Sequence, residues 1–383
     1  GVDQLTTEKA ATLIAYFENI DDPRRDEGKR HPLISVIVLA LCAVICHADT
    51  WPEVEEFAQT KEEWFRQFLE LPHGIPPHYT FRRVFLLLDP EQLQQAFLAW
   101  VEAVQEITGG DIIAIDGKTL RRAFTRGGKK GAIHMVNAWS SQNHLVLGQV
   151  KVDAKSNEIT AIPQLLEMLF LQGSIVTIDA MGCQREIAQK ILDEKADYLL
   201  ALKKNQGTLY DDVDHLFTYA QAENFEQPDM DYAQQVNKDH GRVEKRECWV
   251  VADPEWLAYL RRQHDWPQLC TIIKIEARRS TDDKRRKVDK RYYISSLEPN
   301  AMRILEATRA HWGIENKVHW VLDIAFREDE SRLRMGNGQE NMAALRRWAL
   351  NLIRQETSVK KSIKTKRLKA GWDNDYLLKV LFG

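Results

Sequence analysis

Apolar and polar positions follow three successive rhythms along this chain of 383 residues. From Thr7 to Ile107 apolar residues recur at helical spacing. That spacing predicts helices over Thr7–Glu18, Leu33–Ala48, Trp51–Ala58, Glu62–Leu69, Phe81–Leu87 and Pro90–Ile107, with breaks at DDPRR (21–25) and LPHGIPP (71–77). The rhythm then becomes that of strands. Asp111–Ile115, Ser174–Ile178 and Tyr198–Leu202 are short buried runs, and Ile133–Ser140 and His144–Val152 alternate. Helices are predicted at Ile159–Leu171, Gln184–Glu194 and Gly207–Ala220. Three strands, then helix, strand, helix, strand and helix, predict an α/β fold: a mixed sheet with parallel crossovers and flanking helices. Residues 231–298 interrupt this order with four more strands, at Tyr232–Val236, Val243–Val251, Thr271–Ile275 and Arg291–Ser296, and a charged loop at 278–290. Helices return at Ala301–His311, 309–323, Asn341–Arg354 and Asn374–Leu381.

The resulting organisation is a helical region (1–108), a first core segment (109–228), a β-rich insertion (229–299), C-terminal core helices (300–356) and a basic tail (357–383). Within the helical region, residues 80–84 could open the recognition helix of a helix-turn-helix. The alternative is a scaffold or subunit contact, which the acid balance favours: residues 1–110 hold 18 Asp and Glu against 9 Lys and Arg. Residues 360–369 hold six Lys or Arg and no acid, a pattern of a solvated tail or of contact with a polyanion. Five cysteines without CxxC pairs point to reduced thiols in a cytoplasm. Cys42 and Cys46 fall on the apolar run 33–46, which is shorter than the ~20 residues of a membrane span and is expected in the core. No membrane partner is expected.

On a helical wheel the stretch 311–325 has two faces. Ile314, Val318, Val321 and Ala325 form an apolar stripe, and His311, Glu315, His319 and Asp323 line the opposite side at i, i+4 spacing. Two buried strands end in aspartate, at Asp116 (IAIDGK) and Asp179 (VTIDAMG). Carboxylates at the ends of neighbouring parallel strands sit at the sheet's rim, where open α/β folds place ligands. Their mutual repulsion favours a divalent cation, and oxygen donors suit magnesium or manganese. A single aspartate after a strand equally caps the next helix. The pair, joined by Glu315, can hold two metal ions for phosphoryl transfer. Asp323 is the substitute third ligand. Without HExxH spacing or thiolates, a zinc site built on His311 and His319 is disfavoured. Trp312 and Trp320 are expected to pack.

Five stretches carry a resemblance: IAIDGKTLRRAF, KSNEITAIPQLLEML, IVTIDAMGCQREIA, DYLLALKKNQ and the run from HWGIENKVHW to RRWALN. Together they resemble the H-repeat-associated (ISAs-type) insertion-sequence transposases, which belong to the DDE transposases with an RNase H-like core. The resemblance extends over nearly the whole chain, including the family's helical associated domain. It implies that Asp116, Asp179 and Glu315 are the catalytic triad and ligands of two Mg²⁺ or Mn²⁺ ions, with a β insertion between the second aspartate and the glutamate. It implies a DNA transposase that cleaves at the transposon's terminal inverted repeats and joins the freed 3′-hydroxyl to target DNA. Its partners would be double-stranded DNA and a second copy, as a homodimer on DNA, and its place a bacterial cytoplasm, on the nucleoid when bound. The alternatives are a co-opted metal-dependent nuclease and an inactive, transposase-derived DNA-binding protein. Candidate DNA contacts are Lys118, Arg121, Lys203, Lys204, Asn205, Asn316, Arg332 and Arg334. His311 and His319 would hydrogen-bond DNA or orient Glu315. The tyrosine–arginine–glutamate–lysine signature of related families is absent: its other places hold Thr308, His311 and Leu322. Tyr79 stands where the associated domain usually has Asp.

Overall fold

The computed structural model describes residues 3–120, 133–152, 157–226, 229–239, 241–280, 287–328 and 336–383. Its centre is a nine-stranded mixed sheet. In chain order the strands are β1 (Ile112–Leu120), β2 (Ile133–Ser140), β3 (Leu145–Val152), β4 (Ile175–Ile178), β5 (Asp197–Leu202), β6 (Met230–Asp239), β7 (Arg242–Val251), β8 (Thr271–Ser280) and β9 (Lys287–Ser295). Across the sheet the order is β3-β2-β1-β4-β5-β9-β8-β7-β6. Strands β1, β4 and β5 are parallel; every other pairing is antiparallel. The first five strands and their crossover helices form the RNase H-like part. The three parallel strands lie in its middle, where helices cover both faces, so they are short apolar runs.

The four strands of the insertion continue this same sheet. β9 pairs with β5 from Leu199↔Ser295 to Leu202↔Tyr292, which satisfies what would otherwise be an open edge of β5. Strands β8 and β9 also run further than the apolar pattern predicts, into the charged stretch expected as a loop. The ladder there projects into solvent, and its side chains are charges that pair locally, such as Arg278 with Glu276 and Arg279 with Glu244. Apolar periodicity cannot register a strand that has no buried face.

The helical N-terminal region comprises Gln4–Ala15, Leu33–Ile45, Trp51–Thr60, Glu62–Phe65, His78–Leu87 and Pro90–Val104. It shares one hydrophobic core with the sheet. Every residue from Ser35 to Ile45 is buried, because this helix is surrounded by its neighbours and by the C-terminal helix Gly338–Gln355. Trp348 of that helix reaches Phe17 (4.8 Å between ring centroids), Phe97 (5.6 Å) and Trp100 (5.9 Å). On its other side Asn351 accepts from the Val146 amide (2.8 Å) and donates to the Val146 carbonyl (2.9 Å), in place of a strand neighbour for the edge strand β3.

The basic tail is folded. Residues 363–382 form the helices Ile363–Trp372 and Asn374–Phe382. Lys366 donates to the Glu356 carbonyl (2.6 Å), and buried Arg367 donates to the Val44 (2.7 Å) and Ala325 carbonyls while lying 4.0 Å over Phe326. Cations and apolar residues interleave at helical spacing here, so a count of charge misreads a packed face as solvated.

A buried charge network ties distant segments together. Glu328, with no exposed side-chain surface, meets Arg347 (2.9 Å), Lys118 (3.2 Å) and Arg346 (3.3 Å). Burial alone would raise its pKa, but Arg347, Lys118 and Arg346 overwhelm that and hold the carboxyl far below the usual range. Arg347 also donates from Nε to Asn137 Oδ1 (2.5 Å), and Lys118 meets Asp323 (2.6 Å). Glu328→Gln leaves three cations around a neutral amide and is expected to lower stability by about 3–5 kcal/mol. A urea unfolding midpoint unchanged from wild type would refute the network's weight.

Candidate active site

Parallel pairing of β1 with β4 ends at Ile115↔Ile178, so Asp116 and Asp179 follow side by side in register. The strand bodies beneath them are fully packed: Ile113, Ala114, Ile115 and Val176 have no exposure, which fixes the height at which both carboxylates emerge. Asp116 Oδ1 accepts from the Gly117 amide (2.9 Å). Asp179 Oδ1 accepts from the Ala180 amide (2.5 Å), so it also caps the turn that follows.

Glu315 arrives from a broken helix. Ala301–Ile314 is α-helical, Glu315–His319 is a π turn, and Trp320–Ile324 is α-helical again. Ile314, Val318, Val321 and Ala325 are all buried, so the predicted apolar stripe docks the helix on the sheet. Isolated π turns concentrate at functional sites. Here the turn carries Glu315 and His319 to the same rim as Asp116. His319 Nδ1 lies 3.1 Å from Glu315 Oε2 and 3.8 Å from Asp116 Oδ2. Ligand atoms of Asp116, Glu315 and His319 all fall within 4.8 Å of one another.

Electrostatics mark the site as well. Burial, then the charges of Asp179, Glu315 and Glu158, push the Asp116 carboxyl up to about 7 against the opposing Gly117 N–H. Burial pushes His311 down to about 4, with Asp179 only partly opposing, and its Nδ1 shares a 2.7 Å hydrogen bond with the Thr177 hydroxyl. Burial likewise lowers His319, against the pull of Glu315. Both imidazoles are therefore neutral neighbours of an under-neutralised carboxylate group. Carboxylate oxygens plus neutral imidazole are a donor set that fits a divalent cation, and a cation would relieve the repulsion that raises Asp116.

The other predicted residues divide. Lys203 and Lys204 are exposed on the rim at the end of β5, with Lys203 Nζ 3.9 Å from Asp179. Asn205 donates to the Ala180 carbonyl (2.9 Å) and so braces the turn after Asp179. Asn316 is exposed beside Glu315. Lys118 corrects the expectation of a surface contact: its side chain is 5% exposed and its ammonium points inward, to Asp323 and Glu328. As the next residue of β1 on the side of Asp116, it faces the core beneath the rim. Asp323, the alternative third ligand, pairs with Lys118. His319 is buried, with Nδ1 toward Asp116 and Glu315. Trp320, expected to pack, is 58% exposed because the apolar stripe runs along the other side of its helix. Trp312 is ringed by the guanidiniums of Arg291, Arg246 and Arg279, at 4.6, 5.1 and 5.8 Å from its centroid. It lines a groove of about 1080 Å³ between the insertion and the Glu315 helix. Arg121, Arg332 and Arg334 lie outside the described residues.

Two residues escaped the sequence reading. Glu158 opens the helix Glu158–Met168 and hydrogen-bonds His134 Nε2, and His134 Nδ1 meets the Thr119 hydroxyl (2.8 Å). A Cβ at position 117 would meet the ends of the Glu158 and His134 side chains, which would have to shift. The signal was present in KSNEIT, but an acid in a first helical turn reads as a cap.

Residues 14–101 match the family described as DDE_Tnp_1-associated, and residues 107–352 match the transposase DDE domain. The putative transposase YncI of Escherichia coli O157:H7 is 42% identical over 97% of this chain and 94% of its own. The H repeat-associated putative transposase YhhI of Escherichia coli K12 is 37% identical over 97% and 98%. A shorter relative named inactive transposase YbfQ, also from K12, is 37% identical over 19% of this chain and 86% of its own. With an associated helical region, an RNase H-like sheet and paired aspartates facing a helix-borne glutamate, the chain belongs to the DDE transposase family.

Proposed function

We propose that the chain is an active transposase that cuts phosphodiesters at transposon ends and joins the freed 3′-hydroxyl to target DNA, using Asp116, Asp179 and Glu315 as its acidic triad. The observation that carries this reading is the register of β1 and β4, which brings Asp116 and Asp179 to neighbouring strand ends, together with the closeness of Glu315 to Asp116. The three carboxylates would hold two Mg²⁺ or Mn²⁺ ions. When bound, such ions activate the attacking oxygen and offset charge on the leaving one. The chain's own contribution is positioning. The packed strands fix the aspartates, the apolar stripe fixes Glu315, and exposed Lys203 and Lys204 stand where a phosphate backbone would cross the rim. In the first step water displaces the 3′-oxygen of the transposon end from phosphorus. In the second, that hydroxyl displaces a target 3′-oxygen, so no external energy source is needed.

Asp116→Asn and Glu315→Gln are each expected to lower Mg²⁺-dependent cleavage at least about 10³-fold, with duplex binding nearly unchanged. The assay uses duplexes carrying the gene's own flanking inverted repeats. Full cleavage by Glu315→Gln would sink the triad, and cleavage without any joined product would leave a nuclease.

The raised pKa of Asp116 has a consequence for stability. Because its folded value lies above the ordinary 3.8, ionising it opposes folding. The penalty is absent below about pH 4, grows as pH rises toward 7 and is complete above that. In EDTA at pH 8, Asp116→Asn is expected to raise Tm by about 1–3 °C, on the order of 1–2 kcal/mol, and at pH 4 to change it little. A thermal melt at the two pH values checks this.

A further inference from the structure

We propose that His319 is itself a ligand of the metal centre, through Nδ1, beside Asp116 and Glu315, so that this centre takes a transition ion such as Mn²⁺ in preference to Mg²⁺. The proposal rests on reading the rim as a divalent-cation site, and adds a nitrogen donor to the acidic triad.

Geometry is the first support. Nδ1 lies 3.1 Å from Glu315 Oε2 and 3.8 Å from Asp116 Oδ2, and donors from all three residues fall within 4.8 Å. An octahedral ion with bonds of about 2.1–2.2 Å separates adjacent donors by roughly 3 Å and opposite ones by roughly 4.3 Å. The two spacings from His319 fall in that interval. Asp179 differs: its carboxylate is engaged by the Ala180 amide and faces Lys203, and it is not one of these three.

The second support is the other ring nitrogen. His319 is 4% exposed, and its Nε2 is buried without a hydrogen-bond partner among the described residues. Among the described residues the ring's polar contacts are thus all on the Nδ1 side, toward Glu315 and Asp116. The third support is the backbone. The π turn begins at Glu315 and ends at His319, so the local departure from α-helix spans the two proposed ligands and no others.

A nitrogen donor changes the chemistry. Mg²⁺ favours oxygen donors almost exclusively, whereas first-row transition ions accept imidazole readily. The expected order of affinity is therefore Mn²⁺ above Mg²⁺, by more than an all-carboxylate site would give.

The test is pulsed electron paramagnetic resonance on the full chain loaded with Mn²⁺ in the absence of DNA. Wild type is expected to show modulation from a directly bound ¹⁴N, and His319→Gln to lose it, with Mn²⁺ affinity reduced at least about tenfold. His319→Asp makes the donor set all-oxygen and is expected to shift the preference toward Mg²⁺ in competition titrations. Melts of each variant within a few degrees of wild type secure the fold. Bound Mn²⁺ without ¹⁴N modulation in wild type, modulation that persists in His319→Gln, or no Mn²⁺ binding at all would each overturn the proposal. If wild type binds Mn²⁺ through nitrogen but cuts no DNA, the ligand assignment stands and the transposase reading falls. If it cuts DNA with no nitrogen coupling, the reverse holds.

Discussion

Glu328 sits at the point where the fold is tied together. One carboxylate, cut off from solvent, meets Lys118 from β1 and Arg346 and Arg347 from the C-terminal helix, and Arg347 reaches on to Asn137 of β2. Asn137 is the cross-strand partner of Asp116, and Lys118 is two residues beyond it. The same lysine holds Asp323, on the helix that carries Glu315. The height of Asp116 and the seat of the Glu315 helix are thus both referred to one buried anion. Buried charges are tolerated because they are multiply paired, and breaking one partner exposes the others to the full desolvation penalty.

The rim above shows the opposite condition. Asp116 is largely buried beside Asp179, Glu315 and Glu158, with one backbone amide and exposed Lys203 as the nearby compensation. The cations that could neutralise the group, Lys118 and Arg347, are committed below it. Among the described residues the inner carboxylates are satisfied and the rim carboxylates are left short of positive charge, an arrangement that suits a cation supplied from outside. The π turn belongs to the same rim, since it departs from α-helix from Glu315 to His319.

Several features resisted the sequence for one reason: local patterns report how much apolar or charged surface a segment has, and not what meets it. Lys118 read as a surface cation after a strand, and its partners come from residues 323 and 328. Arg367 read as part of a basic tail, and its acceptors are carbonyls at residues 44 and 325. The insertion's strands were legible as strands, but only their backbone pairing with β5 makes them part of the same sheet. Glu158 carried no reading in the sequence, and its neighbours Gly117 and His134 come from β1 and β2.

The sequence by itself determined the alternation of strands and helices, the two aspartates at strand ends, and a helix with one apolar stripe and Glu315 off it. These follow from periodicity and local chemistry, which act within a few residues. Tertiary structure decided which charges face inward and which face the rim, and how a π turn aligns His319 with Glu315 and Asp116. It also decided that burial and the neighbouring carboxylates push Asp116 up to about 7. Those outcomes depend on distances between segments more than two hundred residues apart, and Coulomb energy and desolvation are set by those distances rather than by residue type.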